Sequence, residues 1–91
     1  MTRLIQIDTD PALASTELLA ALDRQGVVGT LTPSPRPADD GATVTLRVER
    51  AIADLAARIQ RALEDVIARY GAPLLSEQIA EDRFVVRPPA G

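Results

Sequence analysis

One stretch of this chain leaves little choice of architecture. From Thr43 to Val48 the sequence reads Thr-Val-Thr-Leu-Arg-Val, so Val44, Leu46 and Val48 share one side while Thr43, Thr45 and Arg47 share the other. Strict period-two alternation is the mark of a strand with one dry face and one wet face. Directly afterwards, over residues 51–70, Ile52, Leu55, Ala56, Ile59, Leu63, Val66, Ile67 and Tyr70 fall on a single helical stripe. A half-apolar strand and a half-apolar helix so close in sequence bury their faces against each other, which predicts a helix layer on a sheet whose other face meets water.

The remaining segments fit that plan. Leu4 to Ile7 is a short run of strand formers, closed by Asp8-Thr9-Asp10-Pro11. Asp10 before Pro11 has the chemistry of a helix N-cap followed by the first helical position, and Ser15-Thr16-Glu17 offers a later start. Ala14, Leu18, Ala21 and Leu22 then recur at helical spacing until Gly26 stops the helix. Val27 to Thr32 reads as a second strand, and the proline- and aspartate-rich residues 33–41 read as a loop. On the wet side of the long helix, Asp54/Arg58, Arg61/Asp65 and Asp65/Arg69 are spaced for i,i+4 ion pairs. Gly71 and Pro73 end that helix. A short helical turn is expected around Leu75–Ala80, then a last strand at Phe84–Arg87 stopped by Pro88-Pro89.

The order strand, helix, strand, strand, helix, strand predicts an α+β fold of the ferredoxin-like βαββαβ kind. That is an antiparallel four-stranded sheet with two helices on one face. Residues 1–87 form a single domain and 88–91 a short tail. The alternative is a three-stranded α+β domain in which the last segment is itself a tail.

Composition closes off several functions. There is no cysteine and no histidine, which removes disulfides, thiolate chemistry, the usual neutral-pH acid–base group and the commonest transition-metal ligands. Asp39-Asp40-Gly41 lacks the alternating ligands and distal glutamate of a calcium loop, so neither cofactor nor metal is expected. A net charge of −3 without a basic run argues against nucleic acid. Aromatics are limited to Tyr70 and Phe84, too few for the stacking by which sheets bind RNA. The apolar runs are too short to span a membrane, and the N-terminus is not a secretory signal, so a cytoplasmic location is expected. No nucleophile and base can be assembled from these motifs, so the chain is read as a non-enzyme.

Two candidate sites remain. The turn at Asp8, Asp10 and Ala12 opens a helix, whose free N–H groups could hold the carboxylate of a small ligand; capping by Asp10 accounts for the same residues. A partner surface is expected at Val28, Thr30 and Thr32, where the second strand carries no charged guard against edge pairing. Arg47 and Arg87, with Gln6, would lie on the sheet face away from the helices. So small a domain has a thin core, and it would gain by forming a homodimer or by docking on a larger protein.

The stretch Gly29-Thr30-Leu31-Thr32-Pro33-Ser34-Pro35, an acidic loop, and Ala42-Thr43-Val44-Thr45-Leu46-Arg47-Val48-Glu49 resembles the central hairpin of ACT domains, particularly those of acetolactate synthase regulatory subunits. Ile59 to Ile67 is similar to their second helix. Asp10-Pro11 and Gly26-Val27 lie near the positions of that family's Asp-x-Pro-Gly turn and helix-ending glycine, with Ala12 in place of the turn's glycine. The resemblance implies a regulatory module that binds a small effector. The competing expectation is an assembly subunit of a larger complex with no small-molecule ligand.

Overall fold

The computed structural model describes residues 2–9, 16–33, 42–71 and 73–88. In chain order these form β1 (Arg3–Thr9), α1 (Thr16–Arg24), β2 (Thr30–Pro33), β3 (Ala42–Val48), α2 (Leu55–Tyr70), β4 (Leu75–Ala80) and β5 (Arg83–Arg87). The strands make one five-stranded sheet in the order β2-β3-β1-β5-β4. The expected N-cap at Asp10 lies outside the described residues.

The α+β architecture is as expected, and the sheet corrects its finer layout. Leu75–Ala80 is an edge strand, not a helical turn. Leu74, Leu75, Ile79 and Ala80 lie at near-helical spacing, with Glu77 and Gln78 as good helix formers between them. Hydrogen bonding to β5 overrides that local preference, and the Gln60 side-chain amide holds β4 to α2 by donating to the Ser76 carbonyl (3.1 Å) and Oγ (2.6 Å). Because the chain reaches the outer position first and turns back at Glu81-Asp82, β5 lies between β4 and β1. It runs parallel to β1, with Ile7 opposite Phe84. The sheet is therefore mixed, where four antiparallel strands were expected. The other pairs are antiparallel: Ile5 meets Leu46 between β1 and β3, and Leu31 meets Leu46 between β2 and β3.

Both helices cover one face. Leu18 and Leu22 of α1 join Ile59, Leu63 and Val66 of α2 in a core with Ile5, Ile7, Val44, Leu46 and Val48. Phe84 and Val86 belong to the same core, 1% and 6% exposed, so the last segment is an integral strand and the three-stranded alternative fails. Each of these side chains gains about 1.5–3 kcal/mol by leaving water.

The helices are also clasped at their surface. Arg24 Nη2 donates to Asp65 Oδ2 at 2.7 Å, and Arg69 Nε reaches Oδ1 at 3.4 Å. The Arg24 hydrogen bond holds the Asp65 carboxyl below the ordinary 3.8; partial desolvation opposes this and Arg69 reinforces it. Of the expected α2 ion pairs, Asp65/Arg69 forms. Arg58 turns instead to backbone carbonyls, and Arg61 has no ion pair among the described residues.

Candidate functional site

The approach to β2 is built by the end of α1. The Gly26 N–H donates to the Asp23 carbonyl and the Val27 N–H to the Leu22 carbonyl, both at 2.9 Å, with Gly26 at φ +79°. This is the paired bonding of a Schellman cap, and glycine supplies the left-handed turn without a Cβ penalty. Arg58 reaches across from α2, donating from Nη1 to the Gln25 carbonyl at 2.7 Å and from Nε to the Ala53 carbonyl at 2.8 Å. A cation at a helix C-terminus is favoured by the helix dipole. The cap sends Val27 into the core and leaves Val28 59% exposed.

At Gly29 the chain meets β3 so closely that a Cβ would stand 2.4 Å from the Arg47 carbonyl oxygen. Two clefts flank this point, one on each side of the sheet, and Val28 and Gly29 line both. The helix-side cleft, about 340 Å³, has walls of Leu19, Ala20 and Val27, with Thr16 and Asp23 as its polar residues. The open-face cleft, about 280 Å³, is completed by Thr30, Arg47, Glu49 and Arg50. Arg47 Nη2 lies 3.2 Å from Glu49 Oε1, whereas Arg50 has no ion pair among the described residues.

Beyond these clefts β2 is an uncharged edge: Thr30, Leu31, Thr32 and Pro33. The opposite edge, β4, is better guarded. It carries Glu77, bonded to Arg87 at 2.6 Å, and an extra residue between Gln78 and Ala80 breaks its register with β5. Charges and bulges protect edge strands, as do short length and proline, so β2 is guarded only by its four-residue length and Pro33.

The structure brings Val28, Thr30 and Arg47 together in the open-face cleft, with Thr32 farther along β2. Arg87 lies elsewhere: β5 is three strands from β2, and its guanidinium serves Glu77. Asp8 lies on the open face, where its Oδ1 accepts from Thr43 Oγ1 at 2.8 Å. Its Oδ2 accepts two bonds from Arg83, from Nε at 3.1 Å and from Nη2 at 2.8 Å. Its carboxylate is thus engaged in holding β1 to β3 and β5. Asp10 and Ala12 lie outside the described residues. Sequence reasoning missed Leu19, Asp23, Glu49 and Arg50, which flank β2 only through the folded topology. Gly29, interrupting a run of strand formers, was the one local signal of a close backbone approach.

Among the described residues no group of three acidic side chains is placed to hold a metal, and no helix is long and apolar enough to cross a membrane. Compared with known proteins, the chain matches no family model, no curated protein and no solved structure.

Proposed function

We propose that this chain is a non-enzymatic protein-interaction module that works by taking up an added strand at the β2 edge. The observation that carries this reading is the uncharged β2 edge with a cleft on either side of its entrance, set against a β4 edge guarded by a bulge and a charge. Strand addition satisfies the free backbone groups of an edge, and side-chain clefts beside it supply selectivity. The donor is either a second copy, giving a homodimer, or a segment of a larger protein. Either makes the chain an assembly component. A small effector at the β1–α1 turn has less in its favour, because the Asp8 carboxylate already holds Thr43 and Arg83.

Sedimentation equilibrium over a dilution series tests self-pairing. A second copy at β2 gives a mass above 9.7 kDa that returns to the monomer value in Val28→Asp. That substitution, at an exposed side chain, places a charge on the edge without touching the core. A wild-type mass of 9.7 kDa at every concentration removes the second copy as donor.

A further inference from the structure

Resting on the strand-addition reading, we infer that the donor is an extended segment of a different protein in which aliphatic and acidic side chains alternate. Consecutive side chains of an added strand point to opposite faces of the sheet. At the entrance to β2, one therefore meets the helix-side cleft and its neighbour meets the open-face cleft.

The two clefts ask for different chemistry. Leu19, Ala20 and Val27 make the helix-side cleft apolar, and Asp23 beside them repels an acid. An aliphatic side chain fits there. On the open face, Glu49 neutralises Arg47, while Arg50 stays without a carboxylate among the described residues. That cleft holds one guanidinium in excess, and an acidic side chain complements it.

A second copy meets these demands poorly. Its own edge offers Thr30 and Thr32 to the open face and no acid. Charge complementarity thus favours a heterologous donor.

The test uses the full chain, labelled with nitrogen-15, and two blocked nonapeptides. In one, isoleucine alternates with glutamate; in the other, isoleucine alternates with lysine. The expected result is movement of the Val28 to Thr32 amide signals on titration, with the glutamate peptide binding about fivefold more tightly, the scale of a surface ion pair. The preference shrinks at high salt and reverses in Arg50→Glu, while the control Arg61→Glu, on the exposed side of α2, leaves it unchanged. Equal binding of the two peptides, or a preference that survives Arg50→Glu, overturns the acidic donor and leaves strand addition standing. If neither peptide moves the β2 signals, strand addition at this edge fails as well. A dimer that depends on Val28 and is not displaced by the glutamate peptide overturns the inference in favour of the second copy.

Discussion

Gly29, which has no side chain, and Thr9, whose hydroxyl is buried, make sharp demands on their surroundings. Gly29 has an ordinary negative-side backbone, so its requirement is space: a methyl group would collide with the Arg47 carbonyl, which is backbone and cannot rotate aside. Gly29→Ala is expected to push the start of β2 off β3 and cost about 1–3 kcal/mol, the range for overpacking. Chemical denaturation would show it, together with a loss of amide protection at Thr30. Gly71 makes a useful contrast, since its φ is +80° and no described residue comes within 4 Å of an added Cβ, so its constraint is conformational. Thr9 ends β1 facing the helices, 4% exposed, with an Oγ1 that has no hydrogen-bond partner among the described residues. A buried hydroxyl without a partner costs about 1–3 kcal/mol. Thr9→Val keeps the branched shape and removes the hydroxyl, so it should raise Tm. An unchanged or lower Tm would mean that the hydroxyl is satisfied in solution.

The pairing of α1 with α2 carries a pH dependence whose sign follows from the Arg24–Asp65 clasp. Hydrogen bonding to Arg24 lowers the folded-state pKa of Asp65 below 3.8. The stabilisation is therefore present above the unfolded value and lost as pH falls through the lowered folded value. Urea midpoints of the wild type should exceed those of Asp65→Asn at pH 6, and the gap should close in the acid range below pH ~4. A gap that persists at the lowest pH would assign the effect to packing. Most of the elements were legible in the chain. The alternating run at residues 43–48 and the stripes on both helices each specify one buried face, and the structure buries most of those faces, although Tyr70 at the end of α2 is exposed and Ala14 lies outside the described residues. β4 was illegible because its local pattern is ambiguous and its identity as a strand is imposed by β5. The site divides the same way. Val28 and Thr30 could be read as an unguarded edge, and Arg47 as wet. Arg50 could not be placed, since its position beside β2 depends on how β3 passes into α2. Asp8 looked available in sequence and is engaged only once β3 and β5 flank it.

For the whole molecule, the decisive feature is how much of the core comes from the last described strand. Phe84 and Val86 pack with Ile5, Ile7 and both helices, and the Gln6 N–H donates to the Asp82 carbonyl at 2.8 Å. A chain ended after Tyr70 should therefore lose its cooperative thermal transition by circular dichroism. A sharp melt in that truncated chain would show that β4 and β5 are dispensable. The same arrangement bears on how the protein is made. On the ribosome, β1 emerges before every other described strand and β5 after them all, yet the two are immediate neighbours. Pairings between such distant parts of a chain form slowly, because the long intervening loop must close first. Until β5 emerges, β1 keeps one flank open, with Ile5 and Ile7 beside it, and the nascent polypeptide carries a sticky strand that waits for the last described hairpin to cover it.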